Sequence, residues 1–429
     1  MQLKIEKLVY GGDGLARLTA DESGPGKTVF VPFVLQDELV EAALTEQKRG
    51  FARARLERVL EPSPGRIDAS CPYFQDCGGC HYQHANYEHQ LKIKAAILRE
   101  TLRRTTKIEL DCELQLHRSP EWGYRNRTRL KVQNAEEFAL GYYKFRSHEL
   151  LAVEQCPISS PLINRAIAAV WAQGRSGEIP AAVRELEFFA DHSDGALLVE
   201  AYCEPNTSSR HAQEVTDRLA SVIPELEGVT AFAAPMPNQI MEPRALAAAG
   251  AGAISYQTAM NAYQVSAGSF FQVNRFLVDQ LIKIVTSGVS GDLALDLYAG
   301  VGLFTVALAA SFAQVIAVEA SQTSYSDLRH NAGHVKAVRA TTEQHLEQVS
   351  GLRPDLVVAD PPRGGLGELV VRSLAELSVP RITYVSCDPS TLARDLRVFL
   401  SLGYKIAGAH LIDLFPQTYH LESIFHLAR

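Results

Sequence analysis

With 429 residues the chain exceeds one ordinary domain, and two to four domains are expected. A 46% hydrophobic and 21% charged composition is that of a soluble globular protein; no apolar run reaches membrane-span length and Met1-Gln2-Leu3-Lys4-Ile5-Glu6 opens no signal peptide, so a cytoplasmic location is expected. Lys plus Arg total 42 against 49 Asp plus Glu, a net charge of −7 that argues against a basic architectural protein while leaving room for a local basic face.

Residues 1–62 read as a small five-stranded β-barrel. Short alternating segments (Leu3-Lys4-Ile5, Thr28 to Val31, Glu38 to Glu41) are separated by the turns Gly11-Gly12-Asp13-Gly14 and Gly24-Pro25-Gly26. Ala52 to Leu60 alternates too and sets several arginines on one side, which suits an oligonucleotide as well as plain solvation. Glu61 to Gly65 reads as a linker. Tyr87 to Arg104 predicts a helix, with Tyr87, Leu91, Ala95, Leu98 and Leu102 on one face and Lys92, Lys94, Arg99, Arg103 and Arg104 on the other. Residues 63–265 predict a central α+β region. Within it, Trp122 to Arg129 interleaves aromatics and arginines, which suits unpaired bases and phosphates; an aromatic core edge with exposed arginines is the competing reading.

From about residue 290 strands and helices alternate. Leu293 to Tyr298, Val315 to Glu319, Asp355 to Ala359 and Ile382 to Ser386 predict strands, and Thr305 to Ala310 and Ser324 to His330 predict helices. This is the α/β pattern of a doubly wound parallel sheet over residues 266–429. Such sheets bind ligands at the carboxyl ends of their strands. Asp296 to Gly302 lies at one such end, where Gly300 and Gly302 permit a tight strand-to-helix turn. Thr305 stands where a dinucleotide fingerprint has its third glycine, so a nucleoside is expected rather than a pyrophosphate. Glu319, 17 residues beyond Gly302, is placed to accept hydrogen bonds from ribose hydroxyls. Asp360-Pro361-Pro362-Arg363 and Cys387, in Ser386-Cys387-Asp388-Pro389, face the same crevice. A cysteine at a strand tip is either an inert core thiol or a displayed nucleophile. Glu422, before the last apolar segment, is a candidate proton acceptor with His420 as its competitor.

Of seven cysteines, Cys71, Cys77 and Cys80 form Cys-x5-Cys-Gly-Gly-Cys, and Cys156 sits in a distant Cys-Pro context. Three close thiolates and one distant one suit zinc or an iron–sulfur cluster, and the residues leave both open. Cys112 and Cys203 carry no pattern and read as structural.

Together the Cys71/Cys77/Cys80/Cys156 set, Ser269-Phe270-Phe271-Gln272-Val273-Asn274, Asp296 to Gly302, Asp360 to Arg363, Ser386 to Pro389 and Gln417 to Glu422 resemble the RNA uracil-C5 methyltransferase family, across nearly the whole chain. The resemblance implies a Rossmann-like class I methyltransferase domain behind an N-terminal OB-like TRAM barrel and an α+β central domain holding a [4Fe–4S] cluster on the four cysteines. It implies S-adenosylmethionine bound by Gln272, Tyr298, Gly300, Gly302, Glu319 and Asp360, with Cys387 as nucleophile and Glu422 as general base. Leu303 departs from the asparagine common in related sequences. The TRAM barrel and cysteine set point to the ribosomal branch, hence 23S ribosomal RNA as partner; methylation of the transfer RNA T loop is the close alternative, and a monomer without membrane attachment is expected. A radical methylthiotransferase would need Cys-x3-Cys-x2-Cys, and a catalytically silent RNA-binding protein would not need the Cys387 and Glu422 motifs.

Overall fold

A computed structural model describes residues 1–18, 26–134, 137–234, 244–349 and 351–429. Gly24 and Pro25 of the second predicted barrel turn lie outside them. The N-terminal unit is a curled sheet of six strands, one more than expected: Gln2–Lys4, Lys7–Leu8, Asp13–Arg17, Thr28–Pro32, Leu39–Gln47 and Phe51–Glu61. Alternation along them buries Leu3, Val29, Val31, Val40, Ala52 and Ala54 in one small core. The arginines of the last strand all face acids: Arg53 faces Asp13 and Glu46, Arg55 faces Glu57, and Arg58 faces Glu41.

The central sheet has seven strands, ordered Leu150–Ala152, Phe138–Tyr143, Arg127–Asn134, Val183–Ala190, Leu197–Cys203, Leu226–Ala233 and Ala245–Gly250. Helices Pro161–Arg175 and Ser209–Leu219 share its core. The Trp122 to Arg129 stretch is corrected here. Tyr124 is fully buried, Arg127 is buried against Glu187 and Glu200, and Arg129 pairs with Glu187 while lying over the Tyr202 ring. A buried guanidinium needs buried carboxylates, so Arg127 binds the protein rather than phosphate, while Arg129 stays exposed, as the competing reading has it.

The C-terminal sheet has eight strands. Its order is Lys336–Arg339, Phe312–Glu319, Gly291–Leu297, Leu356–Ala359, Arg381–Ser386, Ser423–Ala428, Lys405–Ile412 and Leu114–His117. The first five are mutually parallel, as expected, and Ser423–Ala428 runs antiparallel between Arg381–Ser386 and Lys405–Ile412. The expected division at 63–265 does not hold as a packing unit: Leu114–His117 supplies the sheet edge, and helix Tyr87–Thr106 sends Ile93, Ile97, Leu98 and Leu102 into the same core. That helix starts at Asn86, whose side chain caps His89 N at 2.9 Å, and ends at left-handed Lys107. Its basic face loses one member. Lys94 is fully buried, donating to Asp413 Oδ1 at 2.7 Å and to the Phe415 carbonyl at 2.8 Å, whereas Lys92, Arg99, Arg103 and Arg104 remain exposed. Among the described residues, no helix is long and apolar enough to cross a membrane.

Candidate active site

One side of the cleft is built from strand ends. Tyr298, directly after Gly291–Leu297, takes a left-handed φ of +63°, a conformation costing about 1–3 kcal/mol in a non-glycine residue. It starts the turn that Gly302 closes as N-cap of helix Leu303–Leu308, with φ +95° and Leu328 only 2.9 Å from where a Cβ would stand. Phe271, Gln272, Tyr298, Gly300, Val301, Leu303 and Asp360 line a cavity of about 40 Å³ here, with Phe270 at its rim, 63% exposed. Glu319 is held by backbone: Gly300 N donates to Oε2 at 2.8 Å and Ser321 N to Oε1 at 2.7 Å, leaving lone pairs free on both oxygens.

Thr305, read from sequence only as the missing glycine, donates its hydroxyl to Asp296 Oδ2, while buried Asp296 Oδ1 has no partner among the described residues. Burial, with the Glu319 charge, pushes Asp296 up to about 7; burial, with the Asp296 charge, does the same to Asp360. An unpaired buried acceptor beside an oriented carboxylate fits a hydroxyl-bearing ligand such as a nucleoside. Leu303 forms an apolar wall, and its carbonyl accepts from Tyr263 Oη at 3.1 Å.

The segment that brings Gln272 to this cavity is tied down at both ends. Ser269 Oγ donates to buried Asp327, which also accepts from Ser266 N, Ser266 Oγ and Gln264 Nε2. Asn274 Nδ2 donates to Ser119 Oγ and the Leu414 carbonyl, at 2.9 and 3.1 Å. Nothing in the local sequence marked Asp327 for this task.

The other side pairs two strands. Ser386 lies opposite Ser423 in antiparallel register, so one step further along sets Cys387 opposite Glu422. The Asp388 carboxylate caps helix Pro389–Ser401 by accepting from Ser390 N and Thr391 N, which turns the chain sharply after Cys387. Burial pushes the Cys387 thiol up to about 12, aided by the Glu422 and Asp360 charges and opposed by Arg363. Burial, then the Asp360 charge, holds the Glu422 carboxyl well above the usual range. His420 receives a hydrogen bond at Nδ1 from Arg363 Nη2, 3.2 Å away.

Glu422 follows a loop, Asp413 to Leu421, held from outside. Besides Lys94, it is gripped by Tyr124 Oη on the Pro416 carbonyl at 3.0 Å and by Gln90, which exchanges two 2.9 Å bonds with Gln417. The Gln417 carbonyl accepts from His81 N and Tyr82 N, the residues right after Cys80.

Cys71, Cys77, Cys80 and Cys156 line a single cavity of about 270 Å³ with Gly78, Gly79, Arg125 and His420. Burial raises Cys71, Cys77 (up to about 11) and Cys80, and the neighbouring Cys156 charge adds to each shift. Among the described residues, no three His, Cys, Asp or Glu side chains are gathered closely enough to hold a metal ion, so the expected ligand set shares a cavity without converging on one point. Cys203 is buried in the central core and Cys112 packs at the edge of the C-terminal one.

Residues 86–429 match the family model described as tRNA (uracil-5-)-methyltransferase, and residues 1–56 match the TRAM domain. An uncharacterized RNA methyltransferase of Aquifex aeolicus is 35% identical over 436 residues, 99% of this chain and 97% of the relative. The 23S rRNA (uracil(1939)-C(5))-methyltransferase RlmD of Pectobacterium atrosepticum is 31% identical, covering 96% and 90%. Among solved structures, the Pyrococcus abyssi tRNA (uracil-54, C5)-methyltransferase in complex with S-adenosyl-L-homocysteine is similar over 100% of both chains, with a TM-score of 0.77 and 23% identity, a likeness of fold.

Proposed function

Because the chain belongs to the RNA uracil-C5 methyltransferase family, we propose that it methylates uridine C5 in 23S ribosomal RNA through a covalent bond between Cys387 and uracil C6. The observation that carries this reading is the register that ends with Ser386 opposite Ser423, so that the next residues, Cys387 and Glu422, come together with Glu422, Asp360 and Arg363 all close enough to act on the thiol. The RlmD relative supports the ribosomal substrate.

In this reading S-adenosylmethionine supplies the methyl group as an electrophilic sulfonium carbon. Gln272, Tyr298, Gly300 and Asp360 hold it in the strand-end cavity they line, and Gly302 and Glu319 complete the set from the same turn and the neighbouring strand end, Glu319 through its bond from Gly300 N. Cys387 Sγ adds to C6, which makes C5 an enolate carbon able to take the methyl group. Glu422 then removes the C5 proton, and elimination returns Cys387 as a thiolate. Burial favours the protonated Glu422 carboxyl in the free protein, so Glu422 acts only once ionised in the loaded site, where its raised range makes it a stronger base than an ordinary glutamate. The Cys387 thiol stays protonated in the free protein, so activation belongs to the loaded site, where Arg363 and the cationic donor both favour the thiolate. The uracil leaves its stack to reach Sγ, at a cost of a few kcal/mol.

Cys71, Cys77, Cys80 and Cys156 hold a [4Fe–4S] cluster in the same reading. A zinc ion needs every sulfur about 2.3 Å from one point, whereas a cluster spreads its four ligands around a larger body. What supports the cluster is that the four cysteines line one cavity of about 270 Å³ together with Gly78 and Gly79. Its role is structural or RNA-positioning, since methyl transfer to an enolate requires no electron.

The test maps 5-methyluridine in ribosomal and transfer RNA from cells lacking the protein. Loss in 23S RNA is expected; loss confined to the T loop overturns the substrate. In vitro, Cys387→Ala is expected to abolish methyl transfer while still binding RNA. Glu422→Gln is expected to accumulate a denaturation-resistant protein–RNA adduct, and normal turnover by either variant removes that residue from its role.

A further inference from the structure

The turn between the second and third strands of the N-terminal sheet reaches out of its own domain. Tyr10 Oη donates to the backbone carbonyl of Cys387 at 3.3 Å, 377 positions away in the chain. Its ring meets Tyr419 edge-on, 5.5 Å between centroids at an interplanar angle of 88°. Asp388, Arg363 and Cys387 all lie close enough to act electrostatically on its hydroxyl, and burial keeps that hydroxyl protonated as a donor.

The turn is held from three directions. A Cβ on Gly12 would stand 3.2 Å from the His81 side chain, so glycine is what lets the turn close on the cysteine-bearing segment. Arg146 of the central region donates to both Asp13 oxygens, at 2.7 and 2.5 Å. Lys7 pairs with Glu100 on helix Tyr87–Thr106. Cys387 in turn sits between the last ladder residue, Ser386, and the helix cap, Asp388, where the regular pattern of neither element serves its carbonyl.

We propose that Tyr10 is a positioning residue of the catalytic centre: it fixes the backbone of Cys387, so that the TRAM domain completes the active site in addition to any grip on RNA. A tyrosine serving only to bind RNA would present its hydroxyl outward, and here that hydroxyl is engaged by the residue read as the nucleophile. The inference rests on the Cys387 chemistry proposed above.

The experiment uses the full-length protein, S-adenosylmethionine and RNA in which the target uridine is 5-fluorouridine. Fluorine at C5 cannot leave as a proton, so reaction stops at the covalent adduct and its rate of formation is read directly. At saturating RNA, Tyr10→Phe is expected to form adduct about three- to tenfold more slowly, the effect of one lost hydrogen bond, with the RNA concentration dependence and melting temperature unchanged. Tyr10→Ala, which also loses the Tyr419 contact, should be slower still. A Tyr10→Phe protein that matches wild type at saturation, or differs only in the RNA concentration it needs, overturns the positioning role. So does a rate loss that tracks a fall in melting temperature, which would assign Tyr10 to domain docking. Failure of the wild-type protein to trap any adduct would instead end the Cys387 reading itself.

Discussion

The two walls of the cleft are built on different plans. On the cofactor side, Asp296, Glu319 and Asp360 sit at or just past the ends of neighbouring parallel strands, and the sheet ladder alone brings them together. On the base side, Glu422 follows a loop whose shape depends on Lys94, Gln90, Tyr124, Asn274, His81 and Tyr82, all distant in sequence. A wall built by a sheet tolerates loss of one side chain. A loop held by separate buried polar contacts does not, because each removed partner strands another buried group.

The sharpest test of this contrast is Lys94→Met. It leaves the Asp413 carboxylate buried without its cation and is expected to cost about 3–5 kcal/mol in denaturant unfolding. The double variant Lys94→Met/Asp413→Leu should recover most of that loss. A single variant as stable as wild type would erase the distinction between the walls.

Asp327→Ala probes a place where the cofactor wall also hangs on a buried polar knot. Four hydrogen bonds are lost, and a loss of about 1–3 kcal/mol is expected, with weaker S-adenosylhomocysteine binding by calorimetry as the Ser269 to Gln272 segment loosens. Unchanged binding would separate the knot from the cavity.

Cys156→Ala is expected to lower the iron content of anaerobically prepared protein and its visible absorbance, with zinc content unaffected. Zinc at one equivalent in the wild type, lost in the variant, would reverse the cluster assignment.

The smallest effect concerns pH. Burial and Asp360 hold the Glu422 carboxyl above its usual range, so the folded protein keeps a proton that the unfolded chain releases near pH 4.3. Stability is therefore lost as pH rises from that value through the folded one. Glu422→Gln, always neutral, escapes this loss: it should melt above wild type at pH 8 and level with it at pH 4.

The readable part of the site was the part built by local pattern. The apolar runs predicted to end at Tyr298, Glu319, Ala359 and Ser386 are strands that end at Leu297, Glu319, Ala359 and Ser386. Within the Trp122 to Arg129 stretch, Arg127 misled for the opposite reason. An arginine row looks alike whether it faces phosphate or Glu187 and Glu200, and those acids lie on other strands of the sheet. Thr305 was visible only as an absent glycine, because its bond to Asp296 appears once the helix turns it back over the strand.

By itself, then, the sequence determined the alternation of strand and helix, the motif residues at strand ends and the grouping of four cysteines. Those depend on periodicity and spacing within a few tens of residues. Only the tertiary structure decided that Lys94 is interior while Lys92 is exposed, that Arg127 serves the core, and that Tyr10 reaches Cys387. Each of these follows from a partner brought in by folding, and a buried charge or hydroxyl takes its role from the group opposite it rather than from its neighbours in the chain.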